Sequence, residues 1–409
     1  MEPFFQVGEP NEKGSVMKIL YLSLDPRQPF NGRTGGATHM REMVSALRRE
    51  GCDVKVVAVG AKEFLEFPGE PMRGSRVKDG MKKLIPRSLW LLARDLNDIR
   101  LDRKTEPLIE QAVEKFSPDI IYERNAYLFA SGARIAVRKG VPYFVEINSP
   151  TAEERKKNFG APLAGWHIRV EKFQHKVARG IVVVSDEMKR RLVSWGVDSK
   201  KIKVIPNGVN LERFATPNRR EDIREKYGLS GTVIGFVGSI ASYHGVNVLL
   251  DEMERIVKAE PNAKALIVGG GPLLDEMLDK AKKSGLENVI VFTGEVPPDE
   301  VPFYISAMDI CVLPRSNDYG SPIKVFEYGA LALPVVSIDV GPVRAIIRNN
   351  KEGLLVRDSD SLAEAVIRLI KNPQDAKRMG ENLKKRIENN FTWSHSAKRL
   401  LAFVEERLK

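Results

Sequence analysis

The sequence predicts an α/β protein built from two doubly wound, parallel-sheet domains. Short runs of β-branched and aliphatic residues alternate with helical patterns along the whole 409 residues. These runs are apolar nearly throughout instead of alternating polar and apolar, which marks parallel strands covered on both faces. There are roughly a dozen of them, more than one strongly twisted sheet usually holds. The length suits two domains, each able to bury a full core.

Hydrophobic residues make up 43% of the chain and charged residues 29%, the balance of a globular protein. No apolar run reaches the length of about 18 residues that a membrane-spanning helix needs. Residues 1–16, "MEPFFQVGEPNEKGSV", mix acids, proline and glycine without an apolar centre, so a flexible extension is expected and not a secretory signal. Cys52 and Cys311 lie far apart in apolar stretches and are read as reduced core thiols of a cytoplasmic protein. The net charge of +11 points to an anionic partner. More than half of it sits between Arg73 and Lys104, where ten Lys or Arg face four Asp, a local +6.

The first domain is expected over 17–206. "KILYLS" opens it, and "NGRTGGATH" (31–39) follows. Gly35 and Gly36 there would let backbone amides approach an anion at the positive end of the next helix. His39 falls in its first turns and is a candidate substrate contact. After "DVKVVAV" comes a basic amphipathic segment, 82–103. Ile85, Leu89, Leu92, Leu96 and Ile99 recur at steps of four and three, joined by Trp90 and Leu91 and flanked by Lys82, Lys83, Arg87, Arg94 and Arg100. Either this helix packs its stripe on the core, or it lies on an anionic membrane surface. "DIIYE", "PYFVEI" and "GIVVVS" complete the set, with Arg124, Glu146 and Asn148 at strand ends.

The boundary falls in "IPNGVNLERFATPNRRE" (205–221), where prolines, a glycine and charges interrupt both periodicities. The second domain, 207–385, restarts the rhythm with "TVIGFVG", "KALIVGG", "NVIVFTG", "DICVLP", "PVVSI" and "GLLV". Ligands of doubly wound domains bind beyond the carboxyl ends of the strands, so a cleft between two facing domains is where chemistry is expected. The loops there are glycine-rich. "VGGGP" (268–272) has Leu274 where a dinucleotide fingerprint needs its third glycine, leaving Gly270 as a point of close backbone approach. Asp358 and Asp360 could chelate a metal, but Asp360 or Ser361 reads better as a helix cap, with Glu364 at capping-box spacing. No His/Cys cluster has zinc spacing and no G-x-S-x-G elbow occurs. Residues 386–409 read as a final helix capped by Thr392 or Ser394, packing back towards the first domain.

"GSPIKVFEYGALALPVV" (320–336) carries the most chemistry. Ser321 is expected as N-cap and Pro322 as the first helical residue, so the amides of Ile323 and Lys324 point outward. A helix N-terminus carries about half a positive charge, and Lys324 adds a full one, which suits a diphosphate. Glu327, one turn on, could accept two hydrogen bonds from a ribose diol, or simply pair with Lys324. A lysine in the first turn opposes the helix dipole, a local cost expected where function overrides stability.

The ordered set "VIPNGVN", "GFVGSIASYHGVNVLL", "LIVGGGP", "VIVFTGEVPPDEVPFYISAMDICVLP" and "SPIKVFEYGALALPVV" resembles the retaining glycosyltransferases of the GT-B fold, the large glycosyl transferases group 1 family. The resemblance implies two Rossmann-like domains facing across a cleft and transfer of a sugar from a nucleoside-diphosphate-sugar donor to a sugar or lipid-linked acceptor hydroxyl. It places the donor against Gly35, Gly36, Gly238, Ser239, His244, Gly270, Val296, Tyr319, Ser321, Pro322, Ile323 and Glu327. Glu327 matches the final acid of the family's E-x7-E motif. The first acid falls at Tyr319, beside Asp318, and the family's phosphate-gripping Arg and Lys fall at Ser239 and His244. Lys324 would then carry the phosphate charge, with His39, Arg124 and Glu146 as further catalytic candidates. No cofactor and no metal are expected. The expected location is cytoplasmic, at the inner face of a membrane where residues 82–103 dock, with a role in cell-surface glycan or glycolipid synthesis. A nucleotide-sugar epimerase, a phosphorylase or a catalytically silent binding protein are the alternatives. A nucleic-acid partner is not expected, because aromatics are only 7% and no basic-aromatic platform stands out.

Overall fold

The computed structural model describes residues 16–61, 86–215 and 219–409. The chain divides into two compact units, one running up to Pro206 and completed by Ser396–Lys409, the other spanning Asn207–His395.

The first unit holds a six-stranded sheet: β1 (Lys18–Ser23), β2 (Asp53–Ala58), β3 (Ile120–Arg124), β4 (Tyr143–Ile147), β5 (Gly180–Val183) and β6 (Ile202–Val204). Their order across the sheet is β2-β1-β3-β4-β5-β6, every pair parallel. β1, β3, β4 and β5 are buried along almost their whole length, as strands covered on both faces must be. Gly180 shows how tightly the C-terminal segment packs: a Cβ there would lie 2.6 Å from a ring carbon of Phe403.

The second unit repeats the plan with β7 (Val233–Val237), β8 (Lys264–Val268), β9 (Ile290–Phe292), β10 (Ile310–Leu313), β11 (Val335–Ile338) and β12 (Gly353–Val356). Here the order is β12-β11-β10-β7-β8-β9, again all parallel. Apolar clusters cover both faces, one around Phe236, Ile267 and Val312, the other around Phe326, Tyr328 and Leu383.

In each sheet the strand order reverses once, between β1 and β3 and between β10 and β7. Chain crossings leave in opposite directions at such a point and open a crevice beyond the strands' carboxyl ends. Both groups of candidate residues fall there.

Three local expectations need correction. The helix after "GSP" runs Ile323–Ala330 with Pro322 in the cap position, one residue later than expected, and Ser321 does not cap it. The helix Ser359–Lys371 is capped by Asp358, whose carboxylate accepts the Ser361 N–H, and not by Asp360 or Ser361. The third concerns the basic helix, which spans Arg87–Phe116 (Lys82, Lys83 and Ile85 lie outside the described residues). Its apolar stripe packs only in part: Leu91, Leu92 and Ile99 are half-buried, whereas Leu89, Trp90 and Leu96 are 57%, 41% and 53% exposed, and Asp95, Asp98 and Asp102 are the residues fully buried there. The aspartates turn inward because cations and amides await them there. Asp98 meets Arg27 and Arg155, Asp102 meets Arg134 and the N–H groups of Ala130 and Ser131, and Asp95 accepts from Tyr127.

Candidate active site

The second unit builds its site from three loops stitched by backbone. The Gly238 N–H donates to Val268 O at 2.9 Å, Ile240 N–H to Gly270 O at 2.8 Å, and Gly269 N–H to Gly294 O at 3.0 Å. Gly238 and Gly269 hold φ of +141° and +131°, which only glycine adopts readily, and a Cβ at Gly269 would collide with Gly238 O. Gly270 backs onto the stem of Glu295. Val296 packs beneath as a partly buried member of the second apolar cluster.

Into this cradle points the helix Ile323–Ala330. Its first-turn amides, Ile323 and Lys324, have no carbonyl one turn back within their own helix. The Lys324 ammonium is buried without a hydrogen-bond partner among the described residues. It lies 4.3 Å over the Phe236 ring and would be 2.7 Å from a Cβ on Gly238, so only a glycine there leaves the ammonium room. Burial pulls its pKa down to about 7, with Glu327 opposing. Glu327 therefore acts on the ammonium through its charge and not through a hydrogen bond to it.

His244 approaches the same wall, its ring 5.9 Å from that of Phe236 and its Nδ1 2.6 Å from the Ser239 carbonyl. Burial and the Lys324 charge hold the imidazole down to about 4. Tyr319, Ser321 and Pro322 line the approach to the helix as partly buried residues.

Two residues that sequence reasoning passed over fix this geometry. Asn207 donates its backbone N–H to Ser321 Oγ at 3.0 Å and its side-chain amide to Ser321 O at 2.7 Å, stapling the "GSP" turn to the "PNG" turn. Tyr328 accepts the Val237 N–H at 2.9 Å and so locks the helix to the end of β7. The "PNG" turn was visible as a motif, but its partner was not.

The first unit gathers a different constellation. Thr34 caps the helix Gly35–Arg49 by accepting the Ala37 N–H, and Gly36 lies against Arg124, whose guanidinium would be 3.5 Å from a Cβ there. Glu146, at the end of β4, is 1% exposed and fully engaged. Tyr122 OH donates to one carboxylate oxygen at 2.6 Å, while His39 Nε2 at 2.8 Å, Arg124 Nη1 at 3.0 Å and the Asn148 amide meet the other. Burial raises its pKa, but His39, Arg124 and Asn148 outweigh burial and hold it well below the usual carboxylate range. Glu146, a catalytic candidate from the sequence, thus has both carboxylate oxygens engaged by its own neighbours. It aligns His39 and Arg124. Among the described residues, no cluster of three His, Cys, Asp or Glu could hold a metal ion.

Comparison with known proteins accords with this geometry. The family described as "Glycosyl transferases group 1" matches residues 219–386, and "Glycosyltransferase Family 4" matches residues 33–213. The chain belongs to the glycosyltransferases of the GT-B fold. Alpha-maltose-1-phosphate synthase of Mycolicibacterium smegmatis is 23% identical over 396 residues, 90% of this chain and 94% of that protein. The GDP-mannose-dependent alpha-(1-6)-phosphatidylinositol monomannoside mannosyltransferase of the same organism is 27% identical over 237 residues, 56% of this chain. The match spans only 62% of that relative's length. Among solved structures, Anabaena Alr3699/HepE in complex with UDP superposes with a TM-score of 0.71 at 19% identity, covering 95% of this chain and 100% of the other.

Proposed function

We propose that the protein transfers a sugar, with retention of anomeric configuration, from a nucleoside diphosphate sugar to an acceptor hydroxyl. One observation carries this reading: a buried, unpartnered lysine ammonium at the N-terminus of the Ile323–Ala330 helix, facing glycine loops. Burying a cation without a hydrogen-bond partner is costly, and a diphosphate would remove that cost. Glu327, one turn on, would take the ribose hydroxyls, and Val296 would border the base.

In such a site the departing diphosphate develops charge as the glycosidic bond breaks. Lys324 and the helix end meet that charge without reorganisation. A phosphate oxygen on the same face takes the acceptor proton, so no enzymic nucleophile is required, and Lys324 supplies the cationic charge that a metal would otherwise bring. In the first unit, His39 and Arg124 are the acceptor-side candidates, held by Glu146.

The acceptor is read as lipid-linked or otherwise membrane-held, in cell-surface glycan or glycolipid synthesis at the inner membrane face. The relative named above acts, by its name, on a phosphatidylinositol monomannoside. The Arg87–Phe116 helix supports the reading from this chain itself. Its outer face joins Leu89, Trp90 and Leu96 to exposed Arg87, Arg100, Arg103 and Lys104, and all its acids before Thr105 are inside. The helix Ala164–Val177 adds exposed Trp166 and Ile168 beside Arg169, and its Glu171 is buried. The loop before it touches the basic helix through Leu163 N–H and Asp95 at 3.2 Å. Apolar side chains ringed by cations suit an anionic bilayer. No helix among the described residues is long and apolar enough to cross a membrane.

The test is a screen of UDP-, GDP-, ADP- and dTDP-sugars by thermal stability, followed by product analysis with hydroxyl acceptors. A matching donor well above its Kd should stabilise by about 2–4 kcal/mol. Release of nucleoside diphosphate with transfer supports the proposal. An altered sugar on the intact donor would mark an epimerase, and dependence on inorganic phosphate a phosphorylase. Co-sedimentation with anionic vesicles, reduced in a Leu89→Ser/Trp90→Ser variant, tests the membrane face.

A further inference from the structure

We propose that His244 is a ligand of the donor diphosphate that serves only as an imidazolium, so that donor binding draws a proton from solvent. The inference rests on the donor reading above and adds its proton balance.

The hydrogen bond at Nδ1 decides the chemistry. The Ser239 carbonyl is only an acceptor, so at 2.6 Å Nδ1 must be the nitrogen that carries the hydrogen. A neutral His244 then has a bare Nε2, a lone pair that repels a phosphate oxygen. The ring becomes a donor on that side only by gaining a second proton. The ring packs on Phe236, the ring over which the Lys324 ammonium lies, so the two groups share one wall of the site.

The surrounding charges keep that proton off until an anion arrives. From its own turn the ring meets Tyr243, at 4.5 Å between ring centres. From the helix after the "GSP" turn it feels Lys324, with Glu327 acting on Lys324 in turn. From the loop after β10, the stem of Arg315 packs on the neighbouring Gly245. Burial and the Lys324 charge therefore favour the neutral ring in the free protein, and burial brings Lys324 itself to about 7. An entering diphosphate reverses the sign of the local field and stabilises both protonated forms. A fixed cation would bind without this exchange, whereas His244 makes affinity depend on pH.

The experiment is isothermal titration of UDP-glucose, or GDP-mannose if the stability screen selects guanine, at pH 8 in buffers of different ionisation enthalpy. The diphosphate of a nucleotide sugar does not titrate near this pH, so any proton exchanged belongs to the protein. Uptake of between about one and two protons per donor is expected at pH 8, with Kd rising about tenfold per pH unit near pH 6 and by up to about a hundredfold per unit near pH 8. His244→Arg, a cation that stays protonated throughout this range, should still bind, with uptake lower by about one proton and a flatter pH profile. His244→Gln should bind about tenfold more weakly, also with uptake reduced. Binding by the wild-type protein with no buffer dependence overturns the inference while leaving the donor site intact, and so does unchanged uptake in His244→Arg. Failure to bind any nucleotide sugar would overturn the donor reading itself, and this inference with it.

Discussion

The two switch points of the molecule treat buried charge in opposite ways. In the first unit the Glu146 carboxylate is met by Tyr122, Arg124, His39 and Asn148. In the second, the Lys324 ammonium is equally withdrawn from water and has no hydrogen-bond partner among the described residues. A satisfied buried ion stabilises and orients its neighbours. An unsatisfied one stores free energy that a ligand can release. The contrast separates an ion fully met by its own chain from one that is not, and under the proposed function it divides a positioning group from a binding group.

The largest expected effects come from removing each ion. Lys324→Met should lower kcat by about 10²–10³-fold, the scale of losing one preorganised charge-stabilising group. It should nevertheless raise the stability of the unliganded protein by about 1–3 kcal/mol, because it replaces a buried unpaired cation with an apolar chain. Glu146→Gln should do the reverse to stability, costing about 3 kcal/mol by leaving Arg124 and His39 uncompensated. Denaturant unfolding of both variants checks the pair, and equal signs would erase the distinction.

pH sharpens the same comparison. The folded pKa of Lys324, about 7, lies below its unfolded value of 10.5. Between these the unfolded chain holds more protons, so this group makes the unliganded protein more stable as pH rises from 7 towards 10. Glu123 acts in the opposite sense. It is fully buried on β3, accepting from Tyr143 OH at 2.7 Å, and burial raises its pKa from 4.5 to about 8. Its contribution is complete below about 4.5 and is lost as pH rises through 8. Glu123→Gln should flatten the decline by about 2–3 kcal/mol at pH 9, and Lys324→Met should remove the opposing rise. Unfolding curves from pH 6 to 9.5 read both. A smaller effect, about 1 kcal/mol, is expected from Asn207→Ala, which frees the "GSP" turn and should raise KM more than it lowers kcat.

Much of this was legible in the sequence because it depends on local pattern. Near-continuous apolar runs announced parallel sheets, and glycines after β7 and β8 announced loops that approach a ligand closely. Lys324 stood out as a first-turn lysine that the helix dipole disfavours. What depends on long-range pairing was not legible. No periodicity reveals that Asn207 reaches Ser321, 114 residues away, or that Tyr328 closes on Val237. The cap at Asp358 and the late start at Ile323 were missed by one to three residues, because several neighbouring residues could each have capped the turn. The basic helix illustrates a deeper limit. Its apolar stripe has the spacing of a core-facing helix, and only the cations waiting for Asp95, Asp98 and Asp102 determine that the opposite face goes in.

The most direct test is calorimetric titration of the matching nucleotide sugar into wild-type protein and into Lys324→Met, with unfolding measured on both. Loss of at least about a hundredfold in affinity by a variant as stable as the parent, or more so, is the result expected of a diphosphate held at this helix end. Undiminished affinity in that variant would show that the phosphates bind elsewhere.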